Sequence, residues 1–295
     1  MSTAPTPDVV VIGEALIDIV ETAGGVTEHV GGSPANVALG LGRRGIGVAL
    51  VTQLGRDDRG ARIAAHLEES GVVVPRESFA ADATSTARAR IASDGQASYV
   101  FDLAWDPFVV PVDLRPRVLH TGSVASFLEP GATSVREALG ATDAGEVTFD
   151  PNIRPALVGE HAAAFPAFEA TSRLSTVVKL SDEDAAWLYP GASPDAVVDA
   201  ILALGPRLVA VTLGGEGAII ATSTERLTIP AEKVAVVDTI GAGDTFMASL
   251  IASVAASGSA DLDRAALERI GGDAIRAAAL TVSRAGADLP WAREL

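Results

Sequence analysis

A mainly parallel α/β sheet covered by helices is the fold class this sequence predicts, and three observations carry it. Val9-Val10-Val11-Ile12 is a continuous β-branched run ending at Gly13, without the apolar–polar alternation of a half-exposed strand, as expected for a central strand buried on both faces. Val48 to Gln53 reads as a second buried strand, and the Gly55–Asp58 turn after it leads into a helix that ends before Gly71, giving a βαβ rhythm. Composition agrees: 48% of the 295 residues are hydrophobic and only 4% aromatic, which suits buried parallel strands under Ala-rich helices. A single domain over 1–295 with a small appendage fits that length.

Composition also excludes function classes. A net charge of −16 with no basic cluster argues against a nucleic-acid partner. There is no cysteine, so disulfide and thiolate chemistry are out. His29, His66, His120 and His161 have no metal-ligand spacing and are expected to be surface or hydrogen-bonded histidines. Met1 to Asp8 has neither a basic nor an apolar leader region, and no apolar segment approaches the roughly 20 residues that cross a bilayer. A cytoplasmic protein without membrane contact is the expectation.

In chain order, Glu14 to Val20 is a partly alternating stretch before a turn at Gly24-Gly25. Asp18 in it reads as an exposed strand carboxylate on pattern alone. Gly31-Gly32-Ser33-Pro34 opens a helix with Ser33 at N-cap and Pro34 at N1, and Asn36 one turn in offers both a donor and an acceptor. The rhythm breaks at 84–112, where Thr86–Ile91 and Ala97–Phe101 flank a hairpin turn at Asp94-Gly95. This hairpin and segment 14–30 are expected to form a small sheet that closes as a lid, with Arg88, Arg90 and Phe101 as its candidate substrate contacts. Val118–Ser123 and Glu146–Asp150 each read as a strand followed by a functional loop, and Asp150-Pro151-Asn152-Ile153-Arg154-Pro155 lies where doubly wound sheets bind ligands. Val177–Asp184 closes another strand and caps a helix; Lys179 there is either a phosphate contact or a snorkelling surface lysine. Leu208 to Ala218 is a strand ending in a glycine cluster, and 264–281 is an Ala-rich helix.

The most informative stretch is Asp238-Thr239-Ile240-Gly241-Ala242-Gly243-Asp244-Thr245-Phe246, which follows the apolar run Val234–Val237. Phe246, Met247, Leu250, Ile251 and Val254 continue it with helical spacing, so a loop of small residues opens directly into a helix. The first N–H groups of such a helix lack intrahelical acceptors and attract an oxyanion. Asp244 admits two readings: a helix-start carboxylate that stabilises the dipole, or a base placed to take the proton of a hydroxyl attacking phosphorus.

This nonapeptide resembles the C-terminal signature of the PfkB-type carbohydrate kinases, the ribokinase-like family, and Gly31 to Ala38 is similar to the family's N-terminal G-G-x-x-x-N-V-A signature. The resemblance spans most of the chain and implies a ribokinase-like αβα sandwich: a central, mainly parallel sheet with a small β-sheet lid. It implies ATP-dependent phosphorylation of a sugar, with Asp244 as base and the N–H groups of Gly241, Ala242 and Gly243 as the anion hole. Asp18, Gly31, Gly32 and Asn36 would then bind the sugar. Lys179, Ser181, Thr212, Gly214, Gly215 and Gly217 would serve the nucleotide, and Mg²⁺ would bridge its phosphates. Where many relatives have N-x-x-E, this chain has Ser181 and Asp184. The backbone near Asp238 and Ile240, with the loop Arg284–Ala287, resembles a monovalent-cation site, implying K⁺ as a further cofactor. Ile275 stands where relatives often have Asn near the adenine. Gly13-Glu14-Ala15-Leu16-Ile17-Asp18 and D-P-N-x-R-P are most like the fructokinase branch, where Arg154 would stabilise charge on the transferred phosphate; 2-keto-3-deoxygluconate kinase, ribokinase and inositol or nucleoside kinases are the alternatives. A catalytically silent sugar- or nucleotide-sensing protein is the reading from another class. Pairing of lids in relatives implies a homodimer.

Overall fold

The computed structural model describes residues 7–22, 24–91, 97–111 and 114–295. The chain starts in the middle of its large sheet: β1 (Val9–Ile12) leads to β2 (Leu16–Thr22), β3 (Gly25–Gly31), helix α1 (Ser33–Arg43) and β4 (Val48–Val51). Helix α2 (Asp58–Glu68) follows, then β5 (Val72–Val73), β6 (Thr86–Ile91) and β7 (Ala97–Asp102). The middle of the chain alternates β8 (Val118–Gly122), α3 (Gly131–Ala141), β9 (Glu146–Asp150), α4 (Pro155–Val158), α5 (His161–Arg173), β10 (Val177–Ser181), α6 (Asp182–Leu188), α7 (Pro194–Leu202) and β11 (Leu208–Thr212). An antiparallel edge, β12 (Ala218–Ala221) and β13 (Arg226–Ile229), precedes the long helices α8 (Ala242–Ser257) and α9 (Arg264–Val282).

The large sheet has nine strands in the order β13-β12-β11-β10-β9-β8-β1-β4-β5, parallel except at the β12 and β13 edge. Its central strands are buried on both faces, which is why they read as unbroken apolar runs. Val9 and Val11 pack with α1, α2, α8 and α9 on one face. Val10 and Ile12 meet α3 on the other, where Phe149, Val178 and Val209 meet α5, α6 and α7. The strand order reverses between β1 and β8, the switch point at which such sheets open a crevice beyond their carboxyl ends.

A separate sheet, β3-β2-β6-β7, is built from segments inserted around the first strands of the core. The Asp94-Gly95 turn expected between β6 and β7 lies outside the described residues. The apolar run Val234–Val237 forms no regular element; Val236 and Val237 are more than half exposed. Among the described residues no helix is long and apolar enough to cross a membrane.

Candidate active site

The floor of the candidate site is the amino end of α8. Gly241 takes a left-handed φ of 79° at the N-cap, a conformation that favours glycine, and no side chain among the described residues caps the helix. The first i→i−4 bond is donated by Thr245 to Gly241 O at 2.8 Å, so the amides ahead of it have no intrahelical acceptor, and that of Ala242 donates weakly, at 3.3 Å, to Thr239 O in the loop. Asp244 lies in this first turn, 8% exposed. Its two carboxylate oxygens are held from the other end of the chain: Ser33 Oγ donates to Oδ1 at 2.6 Å and Asn36 Nδ2 to Oδ2 at 2.8 Å. Burial pushes the Asp244 pKa up, opposed by these two hydrogen bonds and then by the charges of Lys179 and Arg154. The N-cap of α1 is Gly32, not Ser33 as the sequence suggests, because the serine hydroxyl is turned to Asp244 instead of the helix amides.

Beside this floor a cleft of about 1200 Å³ is walled by Asp18, His29, Gly31, Asn36, Phe101 and Arg154, among others. Its roof follows from strand register: Asp18 pairs with His29 on β3 and Ala87 on β6, and Ala87 pairs with Phe101 on β7, so these side chains share one face. One row outward, Val20, Ala89 and Tyr99 continue it, and the Tyr99 and Phe101 rings stack with centroids 6.2 Å apart. Ala87 and Ala89 leave a hollow between the polar Asp18–His29 pair and this aromatic shelf. Gly31 is needed because a Cβ there would overlap the Asp18 carboxylate, and at Gly32 a Cβ would come 2.5 Å from Glu14 O. Burial raises the Asp18 pKa against the pull of His29 and Arg154.

Two of the expected lid contacts are corrected. Arg88 and Arg90 share the opposite face with Ile19 and Glu21, and both pair with Glu21. Phe101 does line the cleft. His29, read from sequence as a scattered histidine, belongs to its wall.

The nucleotide-side candidates sit at the carboxyl ends of adjacent strands. Lys179 is not a snorkelling surface residue: it is 3% exposed, with Nζ 2.9 Å from Asp150 Oδ2, and a Cβ on Gly243 would stand 2.9 Å from Nζ. Burial opposes the lysine charge, but Asp150, Asp184 and Asp244 together outweigh it and hold its pKa above the ordinary value. Asp150 is pushed up to about 6 by burial against the pull of Lys179, and its buried Oδ1 has no hydrogen-bond partner among the described residues. Ser181 and Asp184 form a capping box at the start of α6, and Asp184 Oδ1 also accepts from Ile153 N at 2.7 Å, tying the Asp150–Arg154 loop to that helix. Thr212 pairs with Ser181 at the end of β11, and the following turn exposes Gly214 and Gly215 to open space, while Gly217 backs onto Ile229 O. Arg154 folds over its own loop, Nη1 donating to Asn152 Oδ1 at 2.7 Å, and makes no ion pair among the described residues. Asp238 accepts from Ile240 N at 3.0 Å and Gly286 N at 2.9 Å, joining the two loops expected around a monovalent cation.

Residues 6–293 match the description of the pfkB family carbohydrate kinases. The chain belongs to the pfkB family. A fructokinase of Salmonella typhimurium is 32% identical over 301 residues, covering 97% of each chain. The crystal structure of aminoimidazole riboside kinase from Salmonella enterica, complexed with aminoimidazole riboside and an ATP analog, superposes with a TM-score of 0.81 at 26% identity over 97% of both chains. Fructokinase from Vibrio cholerae O395, in its fructose-, ADP- and calcium-bound form, gives 0.78 at 26% identity over 96% of this chain and 94% of that one.

Sequence reading of this pfkB family member missed one buried group at the β1–β8 switch point. Glu14, 9% exposed, accepts from Ala125 N at 3.1 Å, and its backbone abuts Gly32. Burial raises its pKa from 4.5 to about 7. A carboxyl raised on folding contributes stability that is present at low pH and lost as pH climbs through the folded value. At 1.36 kcal/mol per pH unit, that gap amounts to roughly 3 kcal/mol between acid and alkaline solution. Glu14→Gln is therefore expected to flatten the pH dependence of Tm and to exceed the wild type at pH 8.5; an unchanged slope from pH 5 to 8.5 would contradict this.

Proposed function

We propose that this chain is an ATP-dependent sugar kinase that converts D-fructose to fructose 6-phosphate. The observation that carries the reading is the placement of Asp244: at an uncapped helix start, gripped by α1, beside the cleft walled by Asp18, Asn36 and Arg154. In this reading Asp18, Gly31, Gly32 and Asn36 hold the sugar with its hydroxyl at Asp244. The carboxylate takes the hydroxyl proton as the sugar oxygen bonds to the γ-phosphorus and the bond to the ADP oxygen breaks. The amides of Gly241, Ala242 and Gly243 and the Arg154 guanidinium meet the charge on the transferred group. The nucleotide itself is assigned to the strand ends at Lys179, Ser181, Thr212 and Gly214–Gly217.

Magnesium fits this site as an ion carried by the nucleotide. Among the described residues no three acidic or histidine side chains converge as a metal cage, while Asp150 Oδ1 is a buried carboxylate oxygen without a partner, suited to a metal-bound water. Bound there, Mg²⁺ would supply charge neutralisation between the phosphates. Potassium is assigned to the loops that Asp238 joins. The β3-β2-β6-β7 sheet is assigned the role of a lid whose polar and aromatic face closes over the sugar.

Support for fructose comes from the fructokinase relatives and from the polar Asp18–His29 end of the roof. The test is ADP release from ATP·Mg²⁺ over fructose, ribose, 2-keto-3-deoxygluconate, inositol and adenosine, with and without K⁺. Fructose is expected to give the highest kcat/KM, and K⁺ to raise it. A different best substrate removes the fructose assignment and leaves the kinase. Ligand-induced thermal shifts without any turnover would favour the silent sensing protein.

A further inference from the structure

Ser33 stands at the first residue of α1, where a serine hydroxyl ordinarily serves the local backbone. Here it reaches 211 residues along the chain and donates to Asp244 Oδ1 at 2.6 Å, the short distance of a hydroxyl bound to a carboxylate. Asn36, one turn further on the same face of α1, takes Oδ2. A carboxylate held by one donor can turn about its Cβ–Cγ bond; one held through both oxygens has its plane fixed. An ionised carboxylate offers about four lone-pair directions, so these two donors decide which remain for an incoming hydroxyl.

We infer that Ser33 is a positioning residue of the phosphoryl-transfer site: its hydroxyl fixes the plane of the Asp244 carboxylate and leaves the remaining lone pairs aimed at the sugar hydroxyl. The inference rests on the proposed role of Asp244 as base. Of the influences that counter burial at Asp244, the Ser33 bond is the largest, followed by Asn36. The charged groups acting on Asp244 are Lys179 on β10 and Arg154 in the loop after β9, both favouring its ionised form; the Asp150 carboxylate on β9 interacts with it in the opposite sense. None of them reaches the Oδ1 position that Ser33 occupies.

The experiment compares wild type, Ser33→Ala and Ser33→Thr in two readouts. In protein without ligands, ¹³C NMR of aspartate carboxyls follows the titration of Asp244, assigned by its loss in Asp244→Asn. Removing a hydrogen bond to an ionised carboxylate costs about tenfold, so Ser33→Ala is expected to move that titration up by roughly one pH unit. Kinetically, the acid limb of kcat against pH should move up with it, so that kcat on that limb falls by up to about tenfold while the sugar KM changes less than about threefold. Ser33→Thr, which keeps the hydroxyl, should restore both. Unmoved titration and an unmoved acid limb in Ser33→Ala would overturn the inference and leave Ser33 a helix-start residue. If Asp244→Asn itself retains the rate, the base assignment has failed; if that variant is silent while Ser33→Ala is indistinguishable from wild type, only the present inference falls. The NMR titration decides even where no sugar in the panel is turned over.

Discussion

Asp244→Asn is expected to lower kcat about a thousandfold while leaving Tm within a few degrees of wild type. A positioned general base contributes about 10²–10⁴ to a rate, and an amide of nearly the same shape cannot accept the proton. The small effect on stability follows from the sign of the pKa change. Burial raises the Asp244 pKa, so the folded protein bears a cost for the charged form that the neutral amide does not. The neighbours also tolerate the amide: its oxygen can accept from Asn36 Nδ2 while its NH2 donates to Ser33 Oγ, a hydroxyl that accepts as well as donates. Steady-state kinetics and a thermal melt on the same preparation check both halves. Retention of more than a tenth of the wild-type kcat would remove Asp244 as the base.

Lys179→Met should be the most destabilising single change at the site. Lys179 and Asp150 are 4% and 1% exposed through their side chains, and removing one member of a buried pair costs about 3–5 kcal/mol because the other charge is stranded. For a domain of this size that is a fall in Tm on the order of 10 °C. The deficit should depend on pH. Asp150 is already raised to about 6 from an ordinary 3.8 and, without the lysine, rises further. The folded variant then holds a proton that the unfolded chain gives up, so stability present at pH 5 is lost as pH climbs through the folded value. The loss in Tm relative to wild type should be larger at pH 8 than at pH 5, and adding Asp150→Asn should recover part of it. Equal melting of variant and wild type at pH 8 would show that the pair carries no such energy.

The strands of the core were legible because burial on both faces makes an apolar run, as at Val9–Ile12 and Leu208–Val211, a pattern that needs no partner to be recognised. The two glycine-opened helix starts were legible for a similar local reason. What failed to show was anything set by pairing. Arg88 and Ala87 are neighbours in sequence, and only the parallel register of β6 against β2 decides which of them faces the cleft. His29 looked solitary because its companion Asp18 is supplied by the antiparallel β2–β3 pair. Lys179 could be read as solvated or as a ligand contact, since the carboxylate that buries with it lies 29 residues earlier on the adjacent strand. Ser33 was read as a cap for the same reason: its acceptor is distant in sequence, and every local rule favours the amides close by.

The grip of α1 on Asp244 also bears on the order in which a ribosome delivers the parts. Ser33 and Asn36 leave the ribosome before the carboxylate they hold, which lies more than 200 residues later in the chain. A nascent chain can therefore complete most of its central sheet and still lack the group assigned to remove the proton. The packing of α8 against α1 is what places Asp244 between Ser33 and Asn36. The proposed base therefore meets its two donors only through the docking of α8 on α1, and neither helix carries the arrangement by itself.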